Sequence, residues 1–116
     1  YVGAASCDEQ CRNQVHLMRQ VQVAQNKEMK RIRRAVLVPD VDALTAYLSD
    51  AGAEISAPDL LLLKPGPALA TLLSDSVGRI VLIDPLGNVM MRYSAMSDGK
   101  DMNKDLARLL KYSWAG

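Results

Sequence analysis

The two cysteines of the chain, Cys7 and Cys11, lie four positions apart in the stretch SCDEQC. If this stretch begins a helix, the second cysteine follows the first by one turn on the same face, at a separation that a disulfide tolerates. Cys7 could then attack a disulfide in a partner and Cys11 could resolve the mixed disulfide, which is thiol–disulfide exchange. Two soft sulfurs could instead hold Cu(I). In a third interpretation Cys11 is a small buried hydrophobe and Cys7 is inert.

Acidic residues between the two cysteines oppose the activation of their thiols. The N-terminus of a helix favours a thiolate through its dipole and its unpaired backbone N–H groups. Asp8 and Glu9 lie between the sulfurs, and nearby carboxylates disfavour a thiolate. The dipole contributes about 0.3–1 kcal/mol, which is comparable with about 0.2–1 kcal/mol for an exposed charge pair. The sequence therefore leaves the strength of Cys7 activation open.

Other metal-ligating residues do not gather around the cysteines. The single histidine, His16, lies roughly 140° from Cys11 and roughly 180° from Cys7 around a helix with 3.6 residues per turn. We expect it to be a surface or partly buried helix residue. Core packing is also the prediction for the four methionines that lie on helical apolar stripes or in a strand, although thioether suits Cu(I). These are Met18, Met90, Met91 and Met102.

Composition is that of a soluble globular domain. The chain has 116 residues, with 49% hydrophobic and 23% charged residues, so it fits one domain with its own core. The net charge of +1 creates no global field for nucleic acid, and we expect no nucleic-acid partner. The longest apolar runs, such as Leu60 to Leu63, have four residues and are far below the roughly 18 that cross a bilayer. Phosphate-loop, H-E-x-x-H and G-x-S-x-G motifs are absent from the sequence.

The first elements position the cysteines between a strand and a helix. The opening run YVGAA has the composition of the second half of a strand, whose beginning we expect upstream of Tyr1 together with any membrane anchor. Helix formers without proline or glycine predict a helix from Asp8 to about Arg34. Its basic end suits the negative end of the helix dipole. We expect this cluster of Lys27, Lys30, Arg31 and Arg34 to be a solvated face, with docking to anionic lipid or a partner as the alternative.

The remaining elements complete an α/β pattern. The sequence predicts a strand over 35–38, a helix from Asp40 to Gly52, a short strand over 60–63 and a helical turn over 68–74. It then predicts a hairpin of strands 79–84 and 88–93, and a helix over 100–112. The order β-α-β-α-(loop)-β-β-α makes the first two strands parallel and the closing hairpin antiparallel. A mixed central sheet flanked by helices is the thioredoxin-like arrangement, which we predict for residues 1–116 as a single domain.

Three stretches make the chain resemble the Sco/SenC family of thioredoxin-fold proteins, which assist assembly of the copper centre of cytochrome c oxidase. YVGAASCDEQC resembles the family's strand followed by C-x-x-x-C, PDVDALTAYL resembles its segment after strand two, and IVLIDPLG resembles its strand and D-P-x-G turn. The resemblance implies that Cys7 and Cys11 are functional and that a protein partner is involved. It also implies an upstream membrane anchor and a location on the extracytoplasmic, periplasmic face of a bacterial inner membrane.

The chain departs from this family at the positions that complete its copper-binding motif. Asp8 and Arg12 replace the prolines that usually follow the cysteines, and Ser76 falls near the place of the third ligand, a histidine. Gly78 falls where thioredoxin-like reductases place a cis-proline. The expected function is therefore a thiol–disulfide redox role for the catalytic pair Cys7 and Cys11. The alternatives are a Cu(I) chaperone, with both cysteines as metal ligands and a third ligand from a partner, and a non-catalytic interaction module.

Overall fold

The structure is a computed structural model and describes residues 1–4, 9–45, 60–94 and 97–112. Within these residues, helices and strands alternate largely as the sequence pattern predicts. In chain order they are α1 (Glu9–Ala24), a 3₁₀ helix (Asn26–Arg31), β1 (Arg34–Leu37), α2 (41–45), β2 (Leu60–Leu63), α3 (Pro67–Leu72), β3 (Val81–Ile83), β4 (Val89–Arg92) and α4 (Lys100–Tyr112).

The first residues of the chain run parallel to β1, as the crossover connection requires. Val2 forms a parallel bridge with Leu37, where Gly3 N donates to Leu37 O and Leu37 N donates to Tyr1 O, both at 2.8 Å. On its other edge β1 pairs in parallel with β2, with Arg34 opposite Leu60. The predicted parallel pairing is thus confirmed, and the segment assigned to a loop in the predicted order contains a paired strand.

The closing hairpin lies on the other side of the first residues. Val2 N donates to Arg79 O at 3.0 Å, and Gly78 N donates to Val2 O at 2.8 Å. β3 and β4 then pair antiparallel, with Val81 opposite Arg92. These bonds connect the two ladders through the first residues. The arrangement is the mixed sheet of a thioredoxin-like α/β fold.

The turn of the hairpin is organised by one carboxylate. Asp84 Oδ1 accepts hydrogen bonds from Asn88 N at 2.8 Å and from Leu86 N at 3.0 Å, and Gly87 takes a φ of 89°. The bond from the Asn88 backbone is the main reason that the pKa of Asp84 lies below its ordinary value. The D-P-L-G stretch is therefore accounted for by turn geometry.

Apolar side chains alternate between two cores on opposite faces of the sheet. One face of the sheet packs against α1, α2 and α4, and the other face, to which hairpin residues such as Val81 contribute, packs against α3. The larger core contains Tyr1, Cys11, Val15, Val21, Val36, Val38, Leu44, Ile80, Tyr93 and Met102; the smaller one contains Val2, Leu37 and Leu73. Burial on both faces explains why these strands are apolar throughout.

The first helix is shorter than its sequence predicts. Asn26 takes a φ of 53°, in the left-handed region, and a 3₁₀ helix follows. Gln22 Nε2 donates to Ile32 O at 3.0 Å and holds this turn against α1. The prediction of a helix to Arg34 is wrong because Arg34 begins β1, where it is buried. Pairing in the sheet overrides helix propensity there.

Gly99 sets the approach of α4 to α1, and its replacement tests this packing. A Cβ at Gly99, where φ is 91°, would lie 2.9 Å from Leu17 Cδ1 and 3.3 Å from Val21 Cγ2. Gly99→Ala should lower the free energy of unfolding by about 2–3 kcal/mol, because backbone strain adds to overpacking. Gly87→Ala is the control, since its φ is similar but its Cβ meets nothing within 4 Å, and it should cost about 1 kcal/mol. Equal losses in chemical denaturation would contradict the packing argument.

A buried tyrosine after β4 forms a hydrogen bond with a side chain of α4. Tyr93 is 6% exposed, and its hydroxyl donates to Asp105 Oδ2 at 2.6 Å. Burial, followed by the bond to Asp105, raises the pKa of Tyr93 above its ordinary value of 10.0. The folded state therefore keeps this proton to higher pH than the unfolded state does, and the associated stability is lost as the pH rises above 10.

Tyr93→Phe tests this hydrogen bond. The variant should lose about 1.5–3 kcal/mol of unfolding free energy at neutral pH, since the bond involves a charged acceptor. Its free energy of unfolding should also fall less steeply than that of the wild type when the pH is raised above 10. Denaturant titrations at neutral and alkaline pH measure both quantities. A loss below about 0.5 kcal/mol, the scale of an ordinary surface substitution, would show that the bond contributes little.

Candidate functional site

Cys11 is the third residue of α1 and is disulfide-bonded. No cysteine in the described part of the chain is free. The other cysteine of the sequence, Cys7, lies outside the described residues, and so does Asp8. The predicted position of Cys11 at the start of the first helix is confirmed, whereas the assignment of Cys7 stays a prediction.

The Cys11 side chain is buried in the larger core. It is 3% exposed and belongs to the same cluster as Tyr1 and Val15. An external thiol cannot reach such a sulfur, so an exchange reaction at this disulfide must begin at its other sulfur. The interpretation of Cys11 as a small buried hydrophobe describes its packing correctly and omits its disulfide.

The first turn of α1 provides the electrostatic setting of Cys11. The helix begins at Glu9, and its first N–H groups have no acceptor within the helix. These groups and the dipole favour negative charge at this end. Glu9 is exposed and adds a carboxylate there. A thiolate at Cys11 therefore gains from the backbone and loses from Glu9.

The loop between α3 and β3 approaches the first turn of α1. Gly78 has a φ of 85°, and a Cβ placed on it would lie 3.7 Å from Gln10 Nε2. The residue at the place of the reductases' cis-proline therefore lies beside the first turn of the cysteine helix. Its backbone N–H is engaged with Val2 O, so the loop is held by the strand that leads to the cysteines. Sequence reasoning missed Gln10, and its place between the two cysteines was the available signal.

The position expected for a third copper ligand holds a residue that does not suit copper. Ser76 is fully buried, and its Oγ lies 3.3 Å from Asp75 Oδ1. A hydroxyl is a hard ligand, whereas Cu(I) prefers thiolate, thioether or imidazole. His16 is exposed on α1, as predicted. Among the described residues there is no group of three or more His, Cys, Asp or Glu that could hold a metal ion. The three-ligand copper set of the Sco/SenC family does not fit here.

The four methionines for which core packing is predicted divide into two pairs. Met102 is 1% exposed and Met18 packs against the same core, so the prediction of core packing is confirmed for them. Met90 and Met91 are 46% and 41% exposed, and for them the prediction is wrong. Among the described residues β4 pairs only with β3, and the register shift at Leu82/Ile83 disturbs the alternation of side chains in this hairpin.

Comparison with known protein families identifies the chain over nearly its whole length. Residues 1–113 match the family described as "Transmembrane-like, thioredoxin-like, C-terminal domain". The chain belongs to this family. The match supports the thioredoxin-like fold and a general redox or interaction module. No curated protein and no solved structure matched the sequence. No helix in the described ranges is long and apolar enough to span a bilayer.

Proposed function

We propose that this thioredoxin-like domain carries out thiol–disulfide exchange with a protein partner through Cys7 and Cys11. The observation that supports it is the disulfide at Cys11, placed in the first turn of α1 with Gly78 beside it. Because the sequence contains one other cysteine, we propose Cys7 as the bonded partner. Residues 1–116 would act as a single domain behind an upstream anchor.

The exchange can be written with balanced electrons. In the reduced chain the Cys7 thiolate attacks a disulfide of the partner, which forms a mixed disulfide and releases one partner thiolate. The Cys11 thiolate then attacks the Cys7 sulfur, the mixed disulfide breaks, and the second partner thiolate leaves. The partner is reduced by two electrons while the Cys7–Cys11 disulfide forms. The reverse sequence oxidises a partner dithiol.

The burial of Cys11 supports a division of roles. Because an external group cannot reach the Cys11 sulfur, we propose Cys7 as the attacking thiol and Cys11 as the resolving thiol. In the reverse direction Cys11 is the leaving group, and the first turn of α1 favours the thiolate that it becomes. Glu9 moderates this effect.

The resemblance to the Sco/SenC family suggests where this reaction is used. We propose that the partner is a protein of cytochrome c oxidase assembly and that the reaction takes place at the extracytoplasmic face of a bacterial inner membrane. The description of the matched family as transmembrane-like supports proximity to a membrane. Ser76 at the third-ligand position argues for a redox contribution to copper-centre assembly rather than for self-sufficient copper binding.

Thiol counting with an alkylating reagent tests the proposal. When the chain is alkylated in denaturant and analysed by mass, the chain handled in air should carry no alkylated cysteine and the chain treated with reductant should carry two. Addition of an oxidised peptide to the reduced chain should return the chain's own count to zero while two thiols appear on the peptide. An anaerobic Cu(I) titration against a competing chelator is the second arm, with Cys7→Ser and Cys11→Ser as controls. Thiols that never pair in air would defeat the redox proposal, and stoichiometric cysteine-dependent Cu(I) retention would favour the chaperone.

A further inference from the structure

Positive charge is concentrated in two segments of the described chain: one holds the 3₁₀ helix and runs to Arg34, the buried first residue of β1, and the other is α4. Residues 26–34 and 100–112 hold nine of the fourteen Lys and Arg residues but three of the thirteen Asp and Glu residues, a net charge of +6. The rest of the sequence has five basic and ten acidic residues, a net charge of −5. The overall charge of +1 therefore conceals a strongly polar distribution.

The 3₁₀ helix and α4 lie side by side and run in the same direction. Gln25 Nε2 contacts Asn103 O at 3.3 Å near one end of the pair. Near the other end Arg31 Nη1 donates to Leu110 O at 3.0 Å. The bond from Arg31 also satisfies a carbonyl in the last turn of α4. The basic residues of both elements thus belong to one side of the molecule.

The exposed side of α4 is a basic stripe. Its four Lys and Arg residues fall within about 80° of one another around the helix. Its apolar residues Met102 and Leu106 face the larger core on the other side. We call the exposed Lys and Arg residues of these two segments the basic face. They are Lys27, Lys30, Arg33, Lys100, Lys104, Arg108 and Lys111.

We propose that the basic face docks on the surface of an anionic lipid bilayer. A planar negative surface attracts the positive side and repels the acidic remainder, so the charge distribution both binds and orients the molecule. Nucleic acid fits less well, since single-strand binding relies on aromatic side chains for base stacking, and residues 26–34 and 100–111 contain none. The inference goes beyond the proposed exchange reaction and does not depend on it.

Docking in this orientation keeps the cysteine site away from the lipid. The 3₁₀ helix follows the C-terminal end of α1, and the cysteine site lies at the N-terminal end of that helix. Sixteen residues of α-helix place the two ends about 24 Å apart. A bilayer at the basic face therefore leaves the first turn of α1 and Gly78 open to a protein partner.

Vesicle co-sedimentation with the chain of residues 1–116 tests this proposal. Vesicles of phosphatidylcholine with about one third phosphatidylglycerol should bind the chain in low salt, and pure phosphatidylcholine should not. Because each basic residue near such a surface strengthens binding about fivefold, Lys30→Gln/Lys104→Gln/Arg108→Gln should weaken binding about a hundredfold. The control Arg12→Gln/Lys64→Gln/Arg79→Gln removes the same charge from exposed positions outside the basic face and should bind within about threefold of the wild type.

Each result of this experiment decides the proposal. High salt should abolish binding, since surface charges are screened. A Cys7→Ser/Cys11→Ser double variant should bind the vesicles like the wild type, which separates this surface from the redox function. Equal loss in both triple variants would overturn the proposal, because net charge alone would then explain binding. It would also be overturned by absence of vesicle binding with retention on immobilised polyglutamate, which would indicate an acidic protein partner instead.

Discussion

Replacing Cys11 by serine should stop the exchange reaction at its mixed disulfide. In a single-turnover experiment the reduced wild-type chain is mixed with a peptide that contains one disulfide. The wild type should release the peptide as a dithiol and become oxidised itself. In Cys11→Ser the Cys7 thiolate can still attack, but no second thiol follows, so dithiol release should slow at least about a hundredfold. Intact-mass measurement should find the peptide attached to the chain.

Cys7→Ser is the matched control, because it removes the other sulfur of the same pair. The remaining thiol at Cys11 lies 3% exposed in the core and should form no adduct with the peptide. Circular dichroism verifies that both variants keep the fold. The asymmetry between the variants is the signature of an attacking and a resolving cysteine. Adducts on both variants at similar rates would contradict the assignment of roles from burial.

Introducing the proline of the classical reductases at Gly78 should destabilise this chain strongly. Proline fixes φ near −65° and has no N–H to donate. Gly78 has a φ of 85° and its N–H donates to Val2 O at 2.8 Å. Gly78→Pro should therefore lose at least about 3 kcal/mol of unfolding free energy. The loop that faces the cysteine helix is thus built for glycine in this protein.

Gly78→Ala separates the two causes of that loss. Alanine keeps the N–H, and its Cβ would meet Gln10 Nε2 at 3.7 Å, an ordinary contact, so only the backbone conformation is strained. We expect a loss of about 1 kcal/mol. Chemical denaturation of the two variants and the wild type measures both values. If proline is tolerated as well as alanine, the backbone description of this loop is incorrect.

The strands and their pairing were predictable because apolar pattern and turn chemistry agree there. The run Ala35–Val38 is apolar because β1 is buried on both faces. The hairpin follows from two apolar runs around a D-P-L-G turn that Asp84 and Gly87 support. The crossover rule then gave the parallel pairing of the first residues with β1. Local and tertiary preferences coincide in these elements.

Where local and tertiary preferences conflict, the sequence predicted the structure less well. Residues 26–34 have the composition of a helix. However, α1 ends before the left-handed residue Asn26, and Arg34 is the first residue of β1. Met90 and Met91 have the composition of a core strand, yet both are exposed on β4, which within the described ranges pairs only with β3. Both outcomes depend on contacts between distant segments, which periodicity does not encode.

The candidate site was predictable only in part, because its local spacing can be read from the sequence and its contacts between distant segments cannot. The spacing of Cys7 and Cys11 at a strand-to-helix junction suggested a redox pair, and Cys11 does lie at the start of α1 in a disulfide. The contact between Gly78 and the first turn of α1 depends on the hydrogen bonds of Val2 with the loop before β3. The basic face likewise requires the packing of the 3₁₀ helix on α4.

An equilibrium redox titration of the wild-type chain tests the central claim most directly. The chain is incubated in glutathione buffers of graded potential, quenched with an alkylating reagent and analysed by mass. We predict that both thiols disappear together in one two-electron transition within the range that glutathione spans, with a tenfold change in the ratio for about 30 mV. A disulfide that stays closed across that whole range would be a structural bridge and would contradict the exchange function.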